Sequence, residues 1–339
     1  MTELLLDRCD ALLLDLDGTT FRGGQAVPGA PQVVEDIRRG GMPVRFVTNN
    51  ASRSPAEVAA HLTELGFATG PDEVSTSSQA AAALLTQRPV VGDVLVVGTE
   101  ALAAEVEAAG LTPVRACSPD VDAVVQGHSP DTGWRNLAEA CLAIRDGAFW
   151  VACNVDATLP TERGELPGNG ALVAALRAAT RVEPVVAGKP ERPLFDQAAR
   201  SAGARRPLVV GDRLETDVAG ATNTGLDALL VLSGVTTAAD LLAAPPGQRP
   251  RYLAEDLAGV QRPADELEIG GDRSTWQARV ADGAVEVRGG GSPGDPLDLL
   301  RAACAAWWAA GEGPVTVRAL DEAARSAVAQ LGLGEPAGR

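Results

Sequence analysis

Asp15 and Asp17 lie in the run Leu12-Leu13-Leu14-Asp15-Leu16-Asp17-Gly18-Thr19, two carboxylates where an apolar stretch gives way to a turn. A chain tolerates such crowding with a compensating cation or a shared proton. A second acidic stretch, Gly211-Asp212-Arg213-Leu214-Glu215-Thr216-Asp217, directly follows the apolar run Leu208-Val209-Val210. Converging with the first pair, Asp212 and Asp217 would complete an all-oxygen site for a hard cation. Mg2+, held by few carboxylates, waters and a substrate phosphate, fits it best. Two further stretches supply positive or hydrogen-bonding partners for an anion. Thr48-Asn49-Asn50 offers a hydroxyl, amides and backbone N–H groups suited to phosphoryl oxygens. Lys189, in Gly188-Lys189-Pro190, offers an ammonium that could hold a phosphate and offset repulsion among the carboxylates. Each stretch alone also reads as an Asp-Gly turn, a polar loop or a solvated lysine.

The elements that must position these residues weigh against the ordinary readings. Ala11 to Leu14 and Val44 to Val47 are short unbroken apolar runs, as expected of parallel strands covered on both faces. Gly18 ends the first. After the second, Ser54-Pro55-Ala56-Glu57 is a capping box with proline at the first helical position. The candidates therefore sit at successive strand ends, where ligand crevices of open α/β sheets lie. Strands are expected at 11–16, 43–48, 94–98, 122–126, 148–153, 183–187, 207–211 and 227–232. Helices are expected at 29–40, 55–65, 100–109, 135–146, 170–180, 193–202, 216–223 and 237–243. Their alternation predicts a doubly wound parallel α/β fold. Beyond the Pro- and Gly-rich stretch 244–250 the pattern changes. Short strands at 265–270, 275–280, 284–288 and 314–319, with helices at 296–310 and 321–331, predict a small C-terminal α+β module. The tail from Gly332 is expected to fray.

Composition narrows the partners. A formal charge of −16, from 45 acidic against 29 basic residues, argues against a nucleic-acid or anionic membrane surface as the main partner. No stretch approaches the roughly 20 uninterrupted apolar residues of a membrane span. The acidic start MTELLLDRCDALLLD does not read as a signal peptide, so a cytoplasmic location is expected. Five scattered cysteines without C-x-x-C spacing argue against a disulfide framework or a zinc site. His61 and His128, the two histidines, are assigned to structure.

In their order and spacing, Asp15-Leu16-Asp17-Gly18-Thr19, Thr48-Asn49-Asn50, Lys189-Pro190 and Gly211-Asp212-Arg213 through Asp217 resemble the four motifs of haloacid-dehalogenase (HAD) superfamily phosphatases. The long insert between the second and third motifs resembles the α/β cap of the HAD-IIA, NagD-type subclass. Ala152-Cys153-Asn154-Val155-Asp156, with Leu159-Pro160-Thr161 and Gly168-Asn169-Gly170, is similar to the subclass's cap-to-core return. The usual form there is Thr-Asn-Pro-Asp, so Cys153 and Val155 are departures. The resemblance spans residues 8 to about 260. It implies a HAD-like (Rossmann-like) core at 1–78 and 183–262, a cap at 79–182 that sets specificity, and a separate module at 263–339. That module resembles a fragment of a GNAT acetyltransferase, although Arg288-Gly289-Gly290-Gly291-Ser292-Pro293 lacks the spacing of an acyl-CoA pyrophosphate loop.

The resemblance further implies a mechanism. Asp15 would be the nucleophile, forming an aspartyl-phosphate, and Asp17 the general acid and base. Asp15, the Asp17 main-chain carbonyl and Asp212 would hold Mg2+, with Asp217 acting through water. Asp17, Thr48, Asn49, Asn50 and Lys189 would contact the phosphorylated substrate. In the cap, Thr161, Glu162 and Arg163 are candidates for recognising the leaving group, although a solvated turn explains them equally well. Within the subclass, members carrying a similar C-terminal extension act on glycerol 3-phosphate, which makes that ester the expected substrate. Phosphoglycolate, nucleotide and aryl phosphates stay open, as does a phosphomutase. Asp17 speaks against a dehalogenase, and the absence of lysine at 79–182 against a phosphonatase. A different class of reading is a binding or regulatory protein acting through residues 263–339. The expected partner is a small phosphorylated metabolite, with no nucleic acid and no membrane insertion, and with a homodimer through the cap.

Overall fold

The computed structural model describes residues 3–88, 92–161, 163–270, 273–290 and 294–334. They form two compact units, one of residues 1–44 with 202–339 and one of residues 45–201.

In the first unit, parallel strands follow the spatial order Tyr252–Ala254, Asp227–Val231, Pro207–Gly211 and Ala11–Leu14. Every residue of Ala11–Leu14 and of Pro207–Gly211 is buried, which explains why both read as unbroken apolar runs. Their register, Leu12 on Leu208 through Leu14 on Val210, is pinned at its start by Asp10. The Asp10 carboxylate accepts the Arg205 and Arg206 N–H groups, each at 2.8 Å. It is carried one residue further by Asp15 N–H donating to the Val210 carbonyl at 2.9 Å. Both strand ends are thus fixed at the same level.

The expected 216–223 helix begins instead as a π-helical turn, Leu214–Val218, which runs into the α-helix Ala219–Thr224. The expected strand at 265–270 is corrected to a short helix, Ala264–Leu267. Leu267 and Ile269 imitate alternation over too few residues to specify a strand. Pro263 before the turn, and Asp265 and Glu266 in it, favour a helix start.

The remaining C-terminal elements match their expected types. Trp276–Ala281 pairs antiparallel with Ala284–Gly289, which pairs in parallel with Thr316–Ala319. Helices Pro296–Ala310 and Glu322–Gln330 pack on this sheet. The module is joined to the rest of its unit by buried polar contacts. Arg301, 0% exposed, donates to the Leu253 carbonyl and to the Asp298 carboxylate, both at 2.6 Å. Arg249 stacks 5.3 Å from the Trp308 ring and donates to the Trp308 and Gly311 carbonyls, while the Trp308 indole N–H donates to the Leu242 carbonyl. The Trp307 indole N–H donates to the Gly313 carbonyl at 2.9 Å, so both tryptophans serve as packing residues of this module. Removing one partner of a buried ion pair leaves the other desolvated and costs about 3 kcal/mol or more. Arg301→Ala should lower the midpoint of thermal unfolding by several degrees, as read by calorimetry. An unchanged midpoint would mean that the module is only loosely attached.

In the second unit, the end of the Val44–Thr48 strand pairs in parallel with Val74–Thr76, with Thr48 opposite Thr76. Helix Pro55–Glu64 starts at the expected capping box: Ser54 Oγ accepts Glu57 N–H while Glu57 Oε2 accepts Ser54 N–H. Val74–Thr76 and the helix Ser77–Thr86 escaped prediction because the strand is three residues long and two of them are polar. Five parallel strands form a separate sheet in the order Val185–Val186, Phe149–Ala152, Val121–Gln126, Asp93–Val97 and Pro113–Val114. Leu95, Val97, Val124, Trp150 and Ala152 on one face pack against Ala140, Ile144, Val173 and Leu176 from two helices. Among the described residues, no helix of either unit is long and apolar enough to cross a membrane.

Candidate active site

The carboxylate cluster is a product of strand register. Asp15 follows Ala11–Leu14 and Asp212 follows Pro207–Gly211, so the parallel pairing of these strands sets the two acids side by side. The π-helical turn brings in Asp217 from five residues further on. One ligand oxygen from each of Asp15, Asp212 and Asp217 lies within 4.8 Å of the others. Asp212 and Asp217 are buried, at 0% and 1% exposure, and Asp15 is half-buried.

Close backbone packing holds these acids in place. Asp212 Oδ2 accepts the Val235 N–H at 2.7 Å, and its carbonyl accepts the Thr236 hydroxyl at 2.5 Å. Gly18 and Gly234 lie against the Asp212 carboxylate so closely that a Cβ at either position would collide with it. Gly18 also has φ +92°, a conformation that favours glycine. Gly211 lies in the same way against the Asp217 carboxylate, whose Oδ2 accepts the Arg213 N–H at 3.2 Å. Asp17 is exposed, in the turn that Gly18 closes by donating to the Phe21 carbonyl at 2.7 Å.

Three buried or half-buried carboxylates converging on one point, with no nitrogen or sulfur donor in the set, form the donor chemistry of Mg2+. The residues present fit that ion. Zinc would call for histidine or thiolate ligands.

The second unit presents the anion-binding candidates. Thr48 ends its strand, 7% exposed, and its Oγ1 accepts the Asn50 N–H at 3.1 Å. Asn50 is exposed, and its side-chain oxygen accepts the Ser52 N–H at 2.7 Å, which shapes the turn before the helix. Lys189 is 3% exposed and is the single lysine of the chain. Its ammonium donates to the Val47 carbonyl at 3.3 Å. The reading of Lys189 as a solvated surface charge is thereby excluded.

Asn49 bonds to Lys189 through the main chain. Lys189 N–H donates to Asn49 Oδ1 at 2.7 Å, and Asn49 Nδ2 donates back to the Lys189 carbonyl at 3.0 Å. The same Nδ2 reaches both Asp156 carboxylate oxygens, at 3.2 and 3.3 Å. Asn154 Nδ2 and Ser77 Oγ donate to the Asn49 carbonyl at 2.7 and 2.6 Å. Nothing in the sequence alone marks Asn154, Asp156 or Ser77 as site residues. The first two lie in the Cys153-Asn154-Val155-Asp156 return, but their pairing with Asn49, over a hundred positions away, has no periodic signal.

Cys153, a departure from the resembled motif, is buried, and burial pushes its thiol well above the ordinary range. It is a packing residue beside Gly127, whose added Cβ would sit 3.3 Å from the sulfur. Thr161 and Arg163 belong to an exposed hairpin of strands Thr158–Thr161 and Gly164–Pro167. Thr161 Oγ1 donates to the Gly164 carbonyl at 2.7 Å and closes its turn. Glu162 lies outside the described residues.

Comparison with known proteins places this geometry in a family. The profile of haloacid dehalogenase-like hydrolases matches residues 12–112, and a HAD-hydrolase-like profile matches 186–260. A D-glycerol 3-phosphate phosphatase of Mycobacterium tuberculosis is 49% identical over 336 residues, 96% of this chain and 94% of that protein. This chain belongs to the haloacid dehalogenase-like hydrolases. The 5'-nucleotidase YutF of Bacillus subtilis is also similar, 39% identical over 66% of this chain and 87% of its own length. Among solved HAD-like structures, the glycerol phosphate phosphatase of M. tuberculosis in complex with magnesium superposes with a TM-score of 0.93 at 49% identity. That match covers 98% of this chain and all of the other. C-terminal to both HAD-like matches, residues 273–333 fit the profile of a GCN5-related N-acetyltransferase like domain.

Proposed function

We propose that this chain is a Mg2+-dependent phosphatase that hydrolyses D-glycerol 3-phosphate to glycerol and inorganic phosphate through an aspartyl-phosphate on Asp15. The observation that carries the reading is the end-to-end similarity to the mycobacterial D-glycerol 3-phosphate phosphatase, which includes the C-terminal module. The nucleotidase relative matches only two thirds of this chain. Converging Asp15, Asp212 and Asp217 supply the hard-cation site that such chemistry uses.

Asp15, the Asp17 main-chain carbonyl and Asp212 would hold Mg2+, with Asp217 supporting them; bound there, the ion would offset phosphate charge and favour attack at phosphorus. A carboxylate oxygen of Asp15 attacks phosphorus and the ester P–O bond breaks. Asp17 gives its proton to the departing alkoxide, releasing glycerol. The Asp17 carboxylate then takes a proton from the water that attacks the aspartyl-phosphate, freeing phosphate and restoring Asp15. The exposure of Asp17 suits this exchange, because a proton shuttle must reach both leaving group and water. The Thr48 hydroxyl and the Lys189 ammonium are assigned to the nonbridging oxygens, where charge is redistributed in the transition state.

A substrate panel tests the reading. With Mg2+ present, kcat/KM for D-glycerol 3-phosphate should exceed that for phosphoglycolate, nucleoside monophosphates and 4-nitrophenyl phosphate by about tenfold or more, the scale on which leaving-group contacts discriminate. Chelation should abolish turnover and added Mg2+ restore it. A nucleotide ranking first would overturn the substrate assignment, and an isomerised ester in place of free phosphate would indicate a mutase.

A further inference from the structure

We infer that Asn49 is a positioning residue: its carboxamide clamps the Lys189 main chain and, by its bond to Asp156, ties the placement of the catalytic ammonium to the 154–156 return loop. The inference rests on the phosphatase reading for what the ammonium does, and on hydrogen-bond geometry for the clamp itself.

The carboxamide's orientation is fixed by its partners. Lys189 N–H requires an acceptor and finds Oδ1 at 2.7 Å. The Lys189 carbonyl at 3.0 Å and the Asp156 carboxylate at 3.2 and 3.3 Å require donors and find Nδ2. A flipped amide would set donor against donor and acceptor against acceptor at once. Nδ2 has two hydrogens, one directed to the carbonyl and one shared by the carboxylate oxygens. Donation to a phosphoryl oxygen would therefore release either Lys189 or Asp156. This reassigns Asn49, expected from the resemblance to grip the phosphate, to a role one bond removed from it.

The surrounding chain is built around that clamp. Gly188 passes so close that a Cβ there would sit 2.5 Å from both Asn49 Oδ1 and the Cys153 carbonyl. The Asn49 main-chain carbonyl is held by Asn154 and Ser77. Asn154 Oδ1 accepts the Asp156 N–H at 3.2 Å, and the Asn154 carbonyl accepts Asn169 Nδ2 at 2.7 Å. The 154–156 segment thus bonds to Asn49 twice, once through Asn154 and once through Asp156. A shift of that segment moves the group that fixes the Lys189 backbone, and misplacing a catalytic charge by about 1 Å costs about a hundredfold in rate.

The single lysine makes the test direct, because 15N-lysine labelling of the whole enzyme gives one backbone amide signal, that of Lys189. In the wild type this amide should be protected from hydrogen exchange whether or not inorganic phosphate is present. In Asn49→Ala the protection should disappear, with kcat falling about a hundredfold and KM changing less than about threefold. Asp156→Ala should lower kcat about tenfold with the amide still protected, and Asp156→Asn, which keeps an acceptor oxygen, should recover most of that loss. An unprotected amide in the wild type overturns the clamp even if Asn49→Ala fails to fold. A variant that raises KM with kcat and amide protection unchanged overturns it too, since Asn49 would then be touching substrate. Failure of the phosphatase reading has a separate signature, a protected amide in an enzyme that releases no phosphate.

Discussion

Asp15→Asn should reduce phosphate release by about four orders of magnitude or more, because a carboxamide does not form the acyl-phosphate on which the two-step reaction depends. The fold should survive. Asp15 contributes to the sheet through its N–H bond to the Val210 carbonyl, which the substitution keeps. Asparagine also removes one negative charge from a set whose ligand oxygens lie within 4.8 Å of one another. The variant should therefore unfold at or above the wild-type temperature without metal, yet gain less from added Mg2+, since a ligand stabilises the native state according to its affinity for it. Melting curves with and without Mg2+, run beside the phosphate assay, separate the two effects. Retained turnover in Asp15→Asn would remove Asp15 from the chemistry.

Lys189→Met should lower kcat by about a thousandfold, the upper range for loss of one preorganised donor, because here a full charge goes with the donor. Methionine fills nearly the same space and carries no charge to desolvate. At a site only 3% exposed, the substitution leaves the Val47 carbonyl without the ammonium that donates to it, so the unfolding temperature should fall by a few degrees. A folded, inactive variant is thus expected. The measurement is kcat with D-glycerol 3-phosphate at saturating Mg2+. A fall of less than about fivefold would show that the ammonium is not directed at the transferring phosphoryl group.

The acidic cluster was legible because its geometry follows from local rules. Asp15 and Asp212 each stand one or two positions past an apolar run, and parallel pairing of those runs leaves little freedom in where the acids end up. Lys189 was legible as a loop residue, but its burial was not, since nothing in Gly188-Lys189-Pro190 distinguishes a covered ammonium from a solvated one. Long-range polar contacts were the least accessible. Asn49 and Asp156 are 107 positions apart, and their bond depends on where the intervening strands and helices return the chain. Arg301 illustrates the same limit within a helix: an arginine among apolar residues reads as a solvated edge, whereas it is fully buried against the Leu253 carbonyl. At 265–270, two alternating apolar residues were outweighed by Pro263 and the acids that follow it, which start a helical turn.

The most direct test of the account is to trap the covalent intermediate. Acid quenching of the Mg2+-loaded enzyme within its first turnover of D-glycerol 3-phosphate, followed by proteolysis and mass spectrometry, should find one added phosphoryl group on the peptide containing Asp15. That label should decay as free phosphate appears. Phosphate released at the same rate with no labelled peptide at any time, or with the label on another residue, would contradict the assignment of Asp15 as nucleophile.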